Sequence, residues 1–396
     1  MADLLQPADE AELGAILADA AARKLPVTVA GGGTRAGLGR PVQSAATLSV
    51  ARLSGITLYE PSELVISARA GTPLAEVEAA LAGKGQRLAF EPIDHRPLYG
   101  SAGEPTIGGV VAVNASGPRR IAAGAARDAL LGVRAVTGRG ERVKSGGRVM
   151  KNVTGLDLAR FAAGSHGTLA VLSEVTFKVL PAPETEATLV LPGLDDGRAV
   201  AALSAALGSP WSATGAAHVP ADGREAARTL VRLEGFPASV AERFSKLAAA
   251  LRPFGAALRL DGEASAAAWR DIRDLAALGA PADAVVWRVS VRPSAGPAVA
   301  EAARRAFDCR VLYDWGGGLV WTAGGEGPDA GASAIRAAVA AAGGGHAMLV
   351  RAADQVRLAI DVFEPQPPAL AALTRRLKET FDPAGILNPG RMYPGV

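Results

Sequence analysis

The stretch Pro26-Val-Thr-Val-Ala-Gly-Gly-Gly-Thr-Arg35 decides the fold of this chain. Its β-branched run, Val27–Ala30, predicts a short strand that leads directly into three consecutive glycines. Glycine adopts positive φ without a steric penalty and has no Cβ atom, so this backbone can approach a ligand closely. Successive N–H groups in such a turn form an anion-binding nest. Taken alone, the glycine run is equally consistent with a plain tight turn.

Two common phosphate-binding motifs do not fit this loop. The dinucleotide-binding fingerprint needs Gly-x-Gly-x-x-Gly at the start of a helix. Here Gly33 is followed by Thr34-Arg-Ala-Gly-Leu-Gly-Arg-Pro41, whose glycines and proline resist helix formation. The P-loop needs Gly-Lys-Ser/Thr, and this stretch does not contain it. A diphosphate remains the natural ligand, in a different structural setting.

Two later glycine loops strengthen the prediction of an anionic ligand. Thr106-Ile-Gly-Gly-Val-Val-Ala-Val-Asn114 predicts a short apolar helix whose first turn offers free N–H donors and the positive end of the helix dipole. Gly164-Ser-His-Gly-Thr-Leu-Ala-Val-Leu-Ser-Glu174 again places glycines before a β-branched strand. Three separate loops of this kind suit a long, flat, anionic cofactor that extends between two lobes.

Further strings complete a family pattern. They are Glu63-Leu-Val-Ile-Ser-Ala-Arg-Ala-Gly-Thr-Pro-Leu74, Leu88-Ala-Phe-Glu-Pro92, Ser116-Gly-Pro-Arg-Arg120, Gly146-Gly-Arg-Val-Met-Lys-Asn-Val-Thr-Gly155 and Asn388-Pro-Gly-Arg-Met-Tyr393. Together with the loops they resemble the FAD-binding domain of the p-cresol methylhydroxylase/vanillyl-alcohol oxidase family, and within it the FAD-binding subunits of bacterial glycolate oxidases. The resemblance covers most of Val27–Pro181 and the C-terminal tail, and it is weak between Glu184 and Pro365.

The resemblance implies which residues of this chain contact FAD. The first loop would hold the diphosphate, the second would line the path from diphosphate to flavin, and the third would contact the adenosine or flavin side through backbone atoms. The complete set of expected contacts is Gly31, Gly32, Gly33, Thr34, Arg35, Pro92, Thr106, Ile107, Gly108, Gly109, Ser116, Gly117, Asp128, Gly164, Gly167, Thr168, Leu169 and Val171.

The resemblance also implies that FAD is bound non-covalently. Many relatives attach FAD through a histidine in the first loop, where this chain has Thr34 and Arg35. We further expect a valine at Gly32 to remove the cofactor, because valine disfavours positive φ and would occupy the space assigned to the diphosphate.

The catalytic residues are not identified by the sequence, and three side chains are candidates. His166 is either a polar group near the flavin or a loop residue with no part in the chemistry. Arg119 and Arg120 either bind a phosphate or a substrate carboxylate, or are surface charges at a subunit interface. Lys151 and Asn152 either orient their loop by hydrogen bonds or face the flavin.

No metal site is predicted. The histidines contain no His-x-x-x-His pair, and they are His95, His166, His218 and His346. Sibling catalytic subunits that oxidise 2-hydroxy acids carry a clustered His/Asp/Glu motif in the cap domain. The nearest counterpart here is Gly343-Gly-Gly-His346, which we interpret as a solvent-exposed or turn histidine. Leu156 stands where the family often has an aromatic residue, so no ring stacking is expected there.

The composition indicates a large core and no strong charge bias. Hydrophobic residues make up 49% of the 396 positions, aromatic residues 5%, and the formal net charge is +3. Scattered Lys and Arg with few aromatics predict no nucleic-acid surface. The lone cysteine, Cys309, forms no disulfide or iron–sulfur cluster within this chain, predicts a reducing compartment, and is expected to be a small buried residue on a strand. We expect neither a signal peptide nor a membrane span.

The predicted fold class is α+β. Residues 1–183 are expected to form a two-lobed FAD-binding domain, residues 184–364 a smaller ferredoxin-like cap domain with repeated strand–helix–strand units, and residues 365–396 a helix and tail that return to the FAD domain. Local signals predict helices over Glu10–Arg23 and Thr72–Ala82, the second with Thr72 as its N-cap.

The function implied by the resemblance is that of the FAD-binding subunit of a glycolate oxidase complex. Its partners would be a catalytic FAD subunit and an iron–sulfur subunit, and its place the cytoplasm, with peripheral association at the inner membrane through these partners as a further expectation. The alternative is a self-sufficient FAD-dependent dehydrogenase of a small 2-hydroxy acid such as D-lactate. A scaffold that has lost FAD is a second alternative, which the intact glycine loops oppose.

Overall fold

The computed structural model describes residues 3–148, 157–223, 225–325 and 327–396. The chain divides into two compact units. Unit 1 comprises Met1–Ser116, Gly124–Ala182 and Pro365–Val396, and unit 2 comprises Gly117–Ala123 and Pro183–Glu364. The short segment Gly117–Ala123 therefore packs with the second unit, although the sequence had assigned it to the first.

The elements of both units are numbered along the chain. The strands are β1 Asp3–Leu5, β2 Val27–Ala30, β3 Ala46–Ser49, β4 Ile56–Glu60, β5 Val65–Arg69, β6 Gln86–Leu88, β7 Leu130–Thr137, β8 Arg142–Gly146, β9 Ala170–Pro181, β10 Thr185–Pro192, β11 Gly215–Val219, β12 Arg228–Gly235, β13 Leu258–Asp261, β14 Val285–Ser290, β15 Cys309–Asp314, β16 Leu319–Gly324 and β17 His346–Arg351. The helices are α1 Glu10–Arg23, α2 Leu74–Ala82, α3 Arg96–Tyr99, α4 Ile107–Val113, α5 Arg120–Ala123, α6 Ala126–Ala129, α7 Leu158–Ala162, α8 Asp196–Leu207, α9 Pro237–Ala250, α10 Gly262–Arg273, α11 Gly296–Ala306, α12 Ala332–Ala341, α13 Asp354–Ala359 and α14 Pro368–Phe381.

The first two long helices show how local signals performed. Helix α1 has the predicted bounds, because the Asp9 carboxylate accepts hydrogen bonds from two N–H groups of its first turn and Lys24 ends it in the left-handed region. The prediction for α2 was wrong at its start, since this helix begins at Leu74. The Thr72 hydroxyl donates to the carbonyl oxygens of Arg69 and Gly55, and it caps nothing.

Unit 1 contains two sheets, which confirms the predicted two-lobed architecture. A parallel sheet has the strand order β1-β3-β2, and an antiparallel sheet has the order β4-β5-β9-β7-β8, with β6 also paired to β9. Strand β2 of the parallel sheet ends directly before the first glycine loop. Strand β9 follows the third glycine loop and lies in the centre of the antiparallel sheet.

Unit 2 is built on an antiparallel sheet with the strand order β13-β10-β12-β11-β15-β16-β14-β17. Strands β10 to β13 with α8 and α9 follow a β-α-β-β-α-β course, and strands β14 to β17 with α11 and α12 repeat it. Each repeat has the same spatial strand order, and the two meet where β11 pairs with β15. The ferredoxin-like prediction is thus confirmed, and the structure adds that the motif occurs twice in one continuous sheet.

The lone cysteine behaves as the sequence indicated, with one difference. Cys309 begins β15 and is half-buried rather than fully buried. Burial raises the pKa of its thiol to about 11, so the thiol is protonated at neutral pH and is a poor nucleophile. Among the described residues, every helix is too short or too polar to cross a lipid bilayer.

Candidate functional site

The first glycine loop needs its glycines for different physical reasons. A Cβ atom on Gly31 would lie 2.3 Å from the Thr106 hydroxyl oxygen, and one on Gly32 would lie 1.7 Å from the Glu104 carbonyl oxygen. Neither approach is sterically possible, so close packing requires glycine at both positions. Gly33 has φ +76°, and a Cβ there would meet no atom within 4 Å. Backbone conformation alone therefore favours glycine at Gly33.

The expected reason for glycine at position 32 was wrong. Its φ is not in the left-handed region, which in this loop belongs to Gly33. The constraint comes from a neighbouring segment, because a Cβ on Gly103 would in turn lie 1.8 Å from the Gly32 carbonyl oxygen. The two backbones cross with no room for a side chain on either.

The N–H groups of the first loop have no protein acceptor. Within residues 3–148, 157–223, 225–325 and 327–396, the backbone N–H groups of Gly31, Gly32, Gly33 and Thr34 donate no hydrogen bond. Four successive N–H groups without a protein acceptor form a nest that suits a ligand with several acceptor atoms, as a diphosphate has.

The second loop lines the ligand cavity but offers it no free N–H groups, which corrects the prediction made from the sequence. Thr106 caps α4, and its hydroxyl oxygen accepts a hydrogen bond from the Gly109 N–H at 3.3 Å. The Ile107 N–H donates to the Thr72 carbonyl and the Gly108 N–H to the Ala70 carbonyl. The first N–H groups of α4 are thus already satisfied within the protein, and no free helix N-terminus remains for an anion.

The third loop is fixed against α4 by backbone hydrogen bonds. The Gly164 N–H donates to the Val111 carbonyl, and the His166 N–H to the Ala112 carbonyl. His166 has φ +52° and Gly167 has φ +70°, so two adjacent residues occupy the left-handed region. This conformation is unusual for a histidine and persists because the surrounding hydrogen bonds hold it.

The C-terminal tail holds the first and third loops together through Asn388. Its side-chain carbonyl accepts from the Val29 N–H at 2.9 Å, and its amide group donates to the His166 carbonyl at 2.8 Å. Arg391 reaches the first loop region and donates to the carbonyl oxygens of Ala36 and Leu38, each at 2.9 Å. Sequence reasoning missed both tail residues, although it quoted the string that contains them.

A cavity lies where the three loops and the tail meet in unit 1. Of the predicted contacts, those that line it are Gly31, Gly32, Gly33, Thr34, Arg35, Thr106, Gly108, Gly109, Gly167 and Val171, together with the catalytic candidate His166. Asn388 and Arg391 also line it.

Two arginines give the cavity a positive charge. Arg35 donates to the Ile93 carbonyl at 3.1 Å and to His95 Nδ1 at 3.3 Å, and burial lowers its pKa to about 10, so it stays protonated.

Burial, together with the charge of Arg391, lowers the pKa of His166 to about 3. His166 is therefore neutral at physiological pH and is a weak base, since efficient proton acceptors have a pKa near the working pH.

The other predicted contacts do not reach this cavity, and they are Pro92, Ile107, Ser116, Gly117, Asp128, Gly164, Thr168 and Leu169. Three of them have structural partners instead. The Ser116 hydroxyl accepts from the Ala126 N–H, and the Asp128 carboxylate accepts from the Ala125 N–H at the start of α6. The Thr168 hydroxyl donates to the Ser165 carbonyl.

The two arginine candidates belong to unit 2, where Arg119 is buried and Arg120 is partly buried. Arg119 forms a bidentate pair with Glu234, with its shorter contact at 2.7 Å, and both side chains are buried. Because its guanidinium already pairs with the Glu234 carboxylate, the structure does not support Arg119 as a phosphate or carboxylate ligand. The Arg120 guanidinium lies 4.7 Å from the centre of the Trp315 ring.

Some sequence predictions concern residues that lie outside the described ranges, namely Lys151, Asn152 and Leu156. Within those ranges, no group of three His, Cys, Asp or Glu side chains is arranged to hold a metal ion. His346 is exposed at the first position of β17, in agreement with its interpretation as a solvent-exposed histidine.

Comparison with known families and curated proteins identifies relatives of the chain. A family model described as an FAD binding domain matches residues 2–146, and one described as the C-terminal domain of FAD linked oxidases matches residues 363–392. The glycolate oxidase subunit GlcE of Escherichia coli (strain K12) is 36% identical over 371 residues, which is 93% of each chain. A D-lactate dehydrogenase of Archaeoglobus fulgidus is 30% identical over 190 residues, 48% of this chain and 41% of that protein.

Solved structures share the fold at low sequence identity. The 4-ethylphenol oxidase from Gulosibacter chungangensis matches with a TM-score of 0.74 and 14% identity, over 99% of this chain and 89% of that one. An alkyldihydroxyacetonephosphate synthase matches with a TM-score of 0.69 and 16% identity, over 98% and 75% of the two chains. At such identities the likeness concerns the fold alone.

Proposed function

Because the chain belongs to the family of FAD-linked oxidases, as a relative of glycolate oxidase subunits, we propose that it is the FAD-binding subunit of a complex that oxidises glycolate to glyoxylate. In this proposal the two electrons leave through flavin to an iron–sulfur partner, and a second FAD subunit carries the substrate oxidation. The chain is an FAD-dependent oxidoreductase; the partners and the division of labour are the proposed part.

The observation that carries the proposal is the cavity of unit 1. Four successive unpaired N–H groups, from Gly31 to Thr34, lie in its wall beside the cations of Arg35 and Arg391. This donor set fits the charge and the acceptor atoms of the FAD diphosphate. Bound flavin supplies the ability to accept two electrons with a hydride and to release them singly.

The residues of this chain position and neutralise a cofactor, but they supply no effective proton acceptor in the cavity. The ionisable side chains that line it are Arg35, His166 and Arg391. The arginines stay charged, and the pKa of His166 near 3 makes it a poor base at neutral pH. Removal of the hydroxyl proton from glycolate therefore requires a group outside this cavity, and the proposal assigns that group to the catalytic FAD subunit.

A self-sufficient dehydrogenase of a small 2-hydroxy acid, such as D-lactate, is the second candidate. Its support is the similarity to a D-lactate dehydrogenase, which extends over 48% of this chain. Among the described residues, no histidine and carboxylate cluster suited to a metal accompanies the flavin site. That observation favours the complex subunit over the lone enzyme.

The isolated chain is expected to oxidise glycolate and D-lactate at least tenfold more slowly than the complete complex. The test is reduction of an artificial dye by the purified chain and by the complex reconstituted with a catalytic FAD subunit and an iron–sulfur subunit. Co-purification from the native host should yield both partners. Comparable turnover by the chain alone would favour the self-sufficient dehydrogenase. A hundredfold loss of turnover by the isolated chain in His166→Asn, with flavin retained, would identify His166 as the base despite its low pKa.

The purified chain is expected to carry FAD that acid precipitation releases completely. Thr34 and Arg35 occupy the positions where a covalent histidine is expected in relatives, and neither side chain forms a stable bond to flavin. The measurement is the absorption spectrum of the supernatant and of the washed precipitate, with the released flavin identified chromatographically. Yellow colour retained in the precipitate contradicts non-covalent binding, and release of FMN contradicts the diphosphate argument.

A further inference from the structure

Arg35 stands in the wall of the flavin cavity directly after the first glycine loop, and one neighbouring segment holds it at two points. Its Nη2 group donates to the Ile93 carbonyl at 3.1 Å, and its Nε–H donates to His95 Nδ1 at 3.3 Å. Both donors lie on one edge of the planar guanidinium. The remaining nitrogen, Nη1, donates no hydrogen bond to any residue of the described ranges.

The Nη1 group of Arg35 lies beside the first turn of α4. A Cβ atom on Gly109 would stand 3.4 Å from it, and Gly109 and Arg35 both line the cavity. The charge of Asp94 supports the cationic form of Arg35, yet the carboxylate oxygens of Asp94 accept hydrogen bonds from Arg96. Arg35 therefore brings to the cavity wall a guanidinium that is held on one edge and has a donor to spare.

His95 provides one of the two contacts that orient Arg35. The side chain is buried directly before α3, and its ring lies nearly parallel to that of Tyr99. Nδ1 accepts the Arg35 Nε–H only when it carries no proton, so this contact requires the tautomer with its proton on Nε2. A proton on Nδ1 would point at the Ile93 carbonyl, 3.2 Å away, and Arg35 would lose an acceptor.

We propose that His95 is a positioning residue for the cofactor: it accepts from Arg35 and so directs the Nη1 group of Arg35 at the FAD diphosphate. A long side chain loses rotamer freedom when it binds a ligand, and holding the guanidinium beforehand removes part of this cost. Arg35 follows the N–H groups of Gly31–Thr34 in the chain, so its charge adds to the same anion site. The inference rests on the FAD site alone, not on glycolate oxidation or its partners.

The test is a calorimetric titration of the flavin-free, full-length chain with FAD and with ADP, which carries the diphosphate but no flavin. Arg35→Met should lower the affinity for both ligands by about tenfold, the worth of a hydrogen bond to a charged group. His95→Phe keeps an aromatic ring beside Tyr99 but has no acceptor, and it should lower the affinity by about fivefold. His95→Asn should restore the parent affinity, because its amide oxygen takes the place of Nδ1.

A double-mutant cycle separates positioning from a merely structural role. If His95 acts through Arg35, the variant that combines Arg35→Met with His95→Phe should bind FAD no more weakly than Arg35→Met alone. The matched control is Arg23→Met, which removes an exposed arginine of unit 1 outside the cavity and should leave FAD affinity unchanged. If His95→Phe does not fold, His95→Gln replaces it in the cycle, since the longer side chain places its amide near the position of Nε2 and not of Nδ1.

Three results would overturn the proposal. They are losses of affinity that multiply in the double variant, FAD binding in His95→Asn as weak as in His95→Phe, and undiminished ADP binding in Arg35→Met, which would place the guanidinium at the flavin. None of these measurements involves turnover or a partner subunit, so their failure is distinguishable from failure of the proposed complex.

Discussion

A protein carrying Gly32→Val is expected to purify without flavin. The structure gives a steric reason, because a Cβ atom at Gly32 would lie 1.7 Å from the Glu104 carbonyl oxygen and 2.8 Å from the carbonyl carbon. These are backbone atoms, so no side-chain rotation relieves the clash. The segment containing Gly103 and Glu104 must move, and the unpaired N–H groups of Gly31–Thr34 then lose their arrangement around the ligand.

The measurement for Gly32→Val is flavin occupancy from the visible spectrum, together with the melting temperature. Loss of a bound ligand also removes its contribution to stability, so the melting temperature should fall. Gly33→Ala is the matched control, since its Cβ would meet nothing within 4 Å and its φ of +76° costs only about 1–2 kcal/mol for an alanine. Full flavin occupancy in Gly32→Val would show that the loop is only a turn.

The second large effect is expected for Lys378→Met in helix α14. The Lys378 ammonium group donates to Asp382 at 2.7 Å, to the Thr168 carbonyl at 2.8 Å and to the Leu387 carbonyl at 2.7 Å. Burial lowers the pKa of Lys378, while the Asp382 carboxylate opposes this shift and supports the charged form. Removing one partner of a buried pair leaves the other charge uncompensated, which costs about 3–5 kcal/mol.

Lys378→Met should therefore lower the free energy of unfolding of unit 1 by about that amount. The free energy of unfolding is measured by urea denaturation with flavin release as the signal. Flavin release reports on this region because Thr168 belongs to the third loop and Leu387 precedes the tail residue Asn388. Arg375→Met is the matched control on the same helix; Arg375 is exposed, and its replacement should change stability by less than about 0.5 kcal/mol. Equal stability of the two variants would contradict the role assigned to the buried pair.

Locally encoded elements were predictable, and elements without a strong pattern were not. Strand β2 and helix α1 have their predicted bounds, because β-branched residues and helix caps act within a few positions. Strands β11 and β13 carry no such local signal. Gly215-Ala-Ala-His-Val219 shows no alternation of apolar and polar residues, and β13 is a four-residue strand at the edge of its sheet.

The candidate site was predictable only in part, for a similar reason. The glycines of the first loop identified a ligand-binding segment, because glycine runs after a strand carry a local conformational meaning. The prediction of free donors at α4 was wrong, because the Ile107 and Gly108 N–H groups donate to the Thr72 and Ala70 carbonyl oxygens. These acceptors lie more than 30 positions earlier in the chain, so no local pattern indicates them. The pairing of Arg119 with Glu234 could not be predicted, because the two residues lie 115 positions apart in the sequence.

By itself, the sequence determined the three glycine loops, which depend on short patterns and on residue types with local conformational preferences. The cofactor and the two-lobed α+β fold followed from the resemblance of these and other strings to a family of FAD-binding domains. Only the tertiary structure decided that packing against Glu104 fixes Gly32, and that Asn388 joins β2 to the third loop across 359 positions of sequence. It also brought Arg288 to the rings of Trp315 and Trp321. Such contacts join residues far apart in the chain, and they form only when folding has brought the strands and loops together. No local or periodic sequence pattern therefore predicts them.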